Sequence, residues 1–113
     1  MDYNIIATED FESQLRRLGK KYPSIPEDYA KFIEDLLKNP NMGTDLGNNT
    51  RKVRMAIASK NKGKRGGARV ITCHFLVDIT NTEIYLLTIY DKGEHENISK
   101  KEINSLKKNN GLN

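Results

Sequence analysis

The sequence predicts a single α+β domain over residues 1–113, a small antiparallel sheet packed by two N-terminal helices and followed by a C-terminal helix. Three observations predict it. Two amphipathic stretches of helical period fill the first forty residues. Three apolar, β-prone runs then follow between Val53 and Tyr90, separated by turn chemistry. Finally, Ser99 and Glu102 form a capping box before a last periodic stretch. A chain of 113 residues is one domain's worth, and at this size one layer of helices on one sheet is the natural architecture.

Each element has its own warrant. The short apolar run Asn4 to Ala7 reads as a first strand. Thr8 is placed to cap a helix, with Glu9, Asp10 and Glu12 favourable against the helix dipole. Phe11, Leu15 and Leu18 make its apolar stripe. Gly19 or the Tyr22-Pro23 step ends it, since a residue before proline avoids the α region. Pro26 suits a first helical turn, and Tyr29, Phe32, Ile33, Leu36 and Leu37 form the second stripe, stopped by Asn39-Pro40. Residues 41–50 are rich in glycine and asparagine and read as turn. Val53, Met55 and Ile57 alternate with Arg54, which puts Arg54 on the face opposite the helix-covered one. Arg69 to Val77 and Ile84 to Tyr90 read as central strands, joined antiparallel through the turn Asp78 to Glu83. The last helix spans about Lys100 to Asn109 and turns Ile103 and Leu106 to the core. Disorder is expected only in the loop 60–67 and the last four residues.

Composition narrows the function. One cysteine allows no internal disulfide and no cysteine metal cluster, which suits a reducing compartment. No apolar run approaches the ~18–20 residues of a membrane span, and the acidic start MDYNIIATED does not resemble a signal peptide. A cytoplasmic protein without membrane attachment is the expectation. Charge is unevenly distributed. Residues 51–69, RKVRMAIASKNKGKRGGAR, carry eight basic side chains and no acidic one. Of 19 Lys and Arg and 15 Asp and Glu in the chain, that leaves 11 basic and 15 acidic residues elsewhere, a net −4. A mildly acidic body with a +8 segment points to a polyanionic partner.

A Lys/Gly loop has a bland reading, that of a solvated hairpin connection. Two features favour an anion instead. The cations continue into both flanking strands as Lys52, Arg54 and Arg69, and a hairpin brings those strands side by side. Arg54 and Arg69 on one face repel unless an anion lies between them. Other chemistry is sparse. His74 and Cys73 read as strand residues rather than catalysts, and Glu94 and Glu96 as a solvated loop. No histidine or acid spacing suggests a metal site. Tyr90, ending the last strand just before Lys92, reads equally as packing edge or proton donor.

These residues resemble a known family. RKVRMA, KGKRGGARVI, a strand ending LLTIYDKGE, and NISKKEINSLKK are similar to the HigB branch of the RelE/ParE superfamily of type II toxins. The similarity covers roughly Arg51 to Lys108, while the two leading helices agree in kind rather than in motif. It implies a RelE-like fold and a metal-independent, cofactor-free endoribonuclease (mRNA interferase) that cuts mRNA in the ribosomal A site and inhibits translation. It also implies a cognate helix-turn-helix antitoxin, HigA-like, as partner beside the ribosome and mRNA.

The reaction implied is attack of a 2′-hydroxyl on the adjacent phosphate, needing a base, cations for the pentavalent phosphate and an acid for the leaving oxygen. By resemblance, Lys52 and Arg54 precede the loop, Arg69 opens the next strand, and Lys92 follows the last. Arg54 and Arg69 would hold the phosphate. Lys52 or Lys64 would act as base, Lys92 would stabilise the leaving oxygen, and Tyr90 would orient a base or donate a proton. Arg51, Lys60, Lys62 and Arg65 would grip RNA backbone, with Lys100 and Lys101 as further contacts. The sequence departs from the family in having no histidine where a base is wanted, and in placing Cys73 and His74 where aromatic residues are expected. Two alternatives remain: a gyrase-directed toxin of the same fold, which lacks the strand cations, and a non-catalytic RNA- or ribosome-binding module, which has no need of Tyr90 beside them.

Overall fold

The computed structural model describes residues 1–61 and 63–112. Among these, the order is β1 (Asp2–Ala7), α1 (Glu9–Lys21), α2 (Ile25–Lys38), β2 (Thr44–Gly47), β3 (Thr50–Met55), β4 (Ala68–Leu76), β5 (Asn81–Asp91) and α3 (Lys100–Asn109). The α+β class is as expected, two N-terminal helices, a mostly antiparallel sheet and a C-terminal helix. The sheet runs β1-β5-β4-β3-β2. The β1 strand is its one parallel member, pairing Asp2 to Ala7 with Asn81 to Leu86.

Local chemistry sets the helix ends. The Thr8 hydroxyl accepts from the Phe11 amide at 3.2 Å and also donates to the Leu86 carbonyl at 2.8 Å. One side chain thus caps α1 and ties it to β5. The Tyr22-Pro23 step, rather than Gly19, ends that helix. Ser99 accepts from the Glu102 amide at 3.1 Å, as the capping box requires.

The structure corrects the sequence reading in several places. Residues 41–50 hold a short strand, β2, as well as turn. It pairs with β3 through Gly47, Asn48 and Asn49, all at positive φ. Glycine and asparagine tolerate that conformation best, and four residues of edge strand carry no periodicity to read. The strand β3 stops at Met55, and Ala58–Lys60 forms one turn of 3-10 helix, although Ile57 stays buried. The strand β5 begins at Asn81, inside the expected turn, because the Asp78 carboxylate accepts from the Thr80 and Asn81 amides at 2.9 Å each and closes the turn early. Leu112, expected to be disordered, is buried.

The helices also form two layers rather than one. Along β4, Ala68 and Val70 join the cluster under α1 and α2 with Phe11, Leu18, Phe32 and Leu36. Ile71 and Cys73 join a second cluster with Leu87, Tyr90, Ile103 and Leu112. Alternate residues of a strand point to opposite faces, so α3 covers the face opposite α1 and α2. It covers only part of it. Beyond the end of α3, the same face carries Arg54 and Arg69.

Candidate nucleic-acid cleft

The register of the sheet builds the site. Arg54 pairs directly with Arg69, and Arg69 with Tyr90. Three strands therefore place two guanidiniums and a phenol in one row, about 10 Å from end to end at the usual ~4.8 Å between strands. Lys52 lies two residues along on the same face, paired with Ile71.

The two arginines are not equivalent. Arg54 is exposed. Arg69 is 5% exposed, and its Nη1 donates to the carbonyls of Lys64 and Ala68 at 3.2 Å each, its Nη2 to that of Arg65 at 2.9 Å. Burial, then the neighbouring Arg54 cation, pushes the Arg69 pKa below the ordinary guanidinium value. Two like charges ~5 Å apart repel by about 3 kcal/mol at an effective dielectric near 20. The loop carbonyls offset part of that cost and, in return, are held in place by the buried guanidinium.

The loop carrying Lys64 is thus anchored at its end by Arg69. It is anchored at its start by a buried clasp. Asp91, 1% exposed, accepts from Lys60 Nζ at 2.6 Å, from the Tyr22 hydroxyl at 2.6 Å and from the Gly93 amide at 2.9 Å. Burial on its own raises the Asp91 pKa, but the Lys60, Tyr22 and Gly93 hydrogen bonds outweigh it and hold the carboxyl at about 2. From α2, Asp28 accepts the Ala58 amide at 3.1 Å, and Ser24 Oγ accepts the Ser59 amide at 2.9 Å. Gly67 is no hinge. A Cβ there would collide with the Met55 carbonyl, and the Gly67 carbonyl accepts the Lys92 amide at 3.1 Å. That bond sets where Lys92 leaves the sheet.

The result is an open cleft of about 710 Å³ lined by Lys52, Arg54, Lys64, Arg69 and Lys92, with Met42, Gly43, Thr44, Val53 and Asn97. Among the described residues, Glu96 is its one carboxylate. Five of the six residues expected to be catalytic therefore meet in one cavity. Tyr90 stands beside them in the row, 7% exposed, with a hydroxyl that has no hydrogen-bond partner among the described residues. Burial raises its pKa, offset in part by Arg69, so at neutral pH it is a proton donor and not a base.

The residues expected to grip RNA are placed otherwise. Arg51 points to the face opposite Arg54, donates to the Met42 and Gly43 carbonyls at 3.1 and 3.2 Å, and stands 3.8 Å from Asp45. It braces the connection to β2. Lys60 is spent in the clasp, its side chain 11% exposed. Arg65 is exposed on the loop, and Lys100 and Lys101 are exposed on the first turn of α3, all outside the cleft lining. Lys62 lies outside the described residues. The sequence reading missed Asp91 and Tyr22. A carboxylate ending an apolar strand is a weak signal, and its lysine partner is 31 residues away.

Salt-dependent binding to a polyanion such as RNA would measure which cations are free. The triple variant Lys52→Ala, Lys64→Ala, Lys92→Ala is expected to lower the slope of log affinity against log salt by about three, one per lost phosphate contact. Lys60→Ala is expected to leave that slope unchanged while lowering Tm. A slope that drops for Lys60→Ala alone would show that the clasp opens when a polyanion binds. Among the described residues, no three His, Cys, Asp or Glu side chains come together as a metal site would need, and no helix is long and apolar enough to cross a membrane. No family model matches this chain.

Proposed function

We propose that this protein is the toxin of a type II toxin–antitoxin system, a metal-independent endoribonuclease that cuts mRNA in the ribosomal A site and so inhibits translation in the cytoplasm. One observation carries the reading: Lys52, Arg54, Lys64, Arg69 and Lys92 converge on one cleft, with the buried phenol of Tyr90 paired next to Arg69. A scissile phosphate gains charge as the adjacent 2′-hydroxyl attacks, and preorganised cations in a partly desolvated cleft favour that state over the ground state. Arg54 has its guanidinium free to meet a phosphate oxygen. Arg69 presents the donors not used on the loop. Lys52 and Lys64 are the candidates for taking the hydroxyl proton, and Lys92 faces the leaving oxygen. A helix-turn-helix antitoxin of the HigA kind is the proposed partner, as the resemblance in the strands and last helix implies.

The test is expression without a partner, followed by mapping of mRNA 5′ ends and assay of the purified protein on ribosome-bound and naked RNA. Cuts confined to translated messages, and persisting in chelator, are expected. Naked RNA cut as fast as ribosome-bound message would overturn the A-site mechanism. Ribosome binding with no cut in either substrate would leave a binding module, and inhibited supercoiling with intact RNA would point to gyrase.

A further inference from the structure

Glu96 reaches the cation cleft from the turn after β5, and that turn is pinned on its other sides. The Asp91 carbonyl accepts the Glu94 and His95 amides at 3.0 Å each, and the Asp91 carboxylate accepts the Gly93 amide at 2.9 Å. Glu94 turns to α1 and pairs with Arg17 at 3.3 Å and Lys21 at 3.4 Å. His95 turns to the Tyr90 ring, edge to face with centroids 6.2 Å apart. Glu96, next in the chain, lines the cleft with Lys52 and Arg54 of β3, Lys64 of the loop, Arg69 of β4 and Lys92. It shares a cavity with five cations, yet among the described residues it joins no ion pair. The residue is exposed, so its carboxylate is open to a ligand.

A carboxylate is out of place on a surface that only binds phosphate. Its charge repels the ligand and weakens the field of the cations around it. It is of use there only in the chemical step. The step it suits is removal of the hydroxyl proton. At the ordinary pKa values of about 10.4 for lysine and 4.3 for glutamate, roughly one lysine in two thousand is unprotonated at pH 7, whereas nearly every glutamate is.

We infer that Glu96 is the general base of the cleft, taking the 2′-hydroxyl proton in place of Lys52 or Lys64. The inference rests on the endoribonuclease reading above and assigns its base. The 2′-oxygen bonds to phosphorus as its proton passes to a Glu96 oxygen. The bond from phosphorus to the 5′-oxygen breaks, and that oxygen takes a proton from the Lys92 ammonium. The products are a 2′,3′-cyclic phosphate and a 5′-hydroxyl, with nothing oxidised or reduced. Exchange with solvent returns Glu96 and Lys92 to their starting states. Lys52 and Lys64 stay protonated and hold the phosphate with the two arginines.

The experiment is single-turnover cleavage of ribosome-bound message by the full chain from about pH 6 to 8, with a binding curve for each variant. Glu96→Gln is expected to cut about 10²–10⁴-fold more slowly, the usual loss of a general base. With one repelling charge removed, it is also expected to bind about threefold more tightly. Opposite signs exclude a merely structural role, which would lower both. Glu96→Asp keeps a carboxylate one methylene shorter and is expected to recover part of the rate. Glu94→Gln, the same change two residues away, is expected to leave rate and affinity close to wild type. The wild-type rate is expected to be flat across this range, because a carboxylate is already unprotonated at its lower end. A rise of about tenfold per pH unit would give the role to a lysine, and a break near pH 6.5, the ordinary imidazole value, would give it to His95. Either result overturns the assignment. Glu96→Gln cutting as fast as wild type also overturns it and leaves the nuclease reading standing. A wild-type protein that cuts neither ribosome-bound nor naked RNA overturns both.

Discussion

Arg69→Ala is expected to lower the single-turnover cleavage of ribosome-bound message by about 10²–10³-fold, the usual loss on removing one preorganised charge donor. Ribosome binding should weaken far less, by about 1 kcal/mol, since Lys52, Arg54, Lys64 and Lys92 still line the cleft. Arg69 also holds the Lys64 and Arg65 carbonyls, so this variant should lose Tm as well as rate. Arg54→Ala separates the two effects. The side chain is exposed, so it should lose rate with little change in Tm. Lysine at position 69 should rescue only in part, because it lacks the planar fork that reaches the Lys64, Arg65 and Ala68 carbonyls and still has donors for the proposed phosphate. The measurement is cleavage at saturating enzyme beside a binding curve and a melting curve for each variant. If rate and affinity fall by the same factor in Arg69→Ala, it docks the RNA and does not act in the chemical step.

Asp91→Asn is expected to cost about 3 kcal/mol of stability, because it leaves the Lys60 ammonium buried without its counter-charge. For a domain of this size that is roughly 10 °C or more in Tm. The pH dependence has a definite sign. The folded-state pKa of about 2 lies below the ordinary carboxyl value of 3.8. The clasp's charge contribution, about 2 kcal/mol, is therefore present above about pH 4 and lost as pH falls through about 2. Melting curves of both proteins should run parallel from pH 7 to 5 and converge toward pH 2. Curves that stay parallel into acid would mean that the Lys60 contact carries no net stability. Because the clasp sets the start of the loop that presents Lys64, the variant should also cleave more slowly at 25 °C, where it remains folded.

Much of this molecule was legible in its sequence for local reasons. Thr8 and the Ser99–Glu102 box act within a turn of their own helix, so their spacing alone locates those helix starts, whereas the end of α1 stayed open between Gly19 and the Tyr22-Pro23 step until the structure placed it at Tyr22. The two helical stripes are long enough for their period to be read, and the runs in β4 and β5 are apolar enough throughout to read as central strands. Alternation in β3 placed Arg54 opposite the core, and a hairpin brings that strand beside the one that opens near Arg69, while the direct pairing of the two is set by the sheet register. The approach of Arg54 and Arg69 was legible from that, whereas Lys64 and Lys92 reach the same cleft through contacts that only the fold provides.

What the tertiary structure decided is which of those cations remain free. Lys60 and Lys64 are four residues apart in the same basic loop and indistinguishable by composition. One is buried against Asp91 and Tyr22 and the other faces the cleft. Arg51 and Lys52 are adjacent, yet the strand's alternation sends one to brace Gly43 and the other toward the cation cleft. The parallel docking of β1 on β5 and the α3 layer on the second face both depend on contacts between residues far apart in the chain. Local pattern determines which segments fold and which faces are apolar. Only the pairing of distant segments determines which charge is neutralised, because a buried partner carries no local sequence signature.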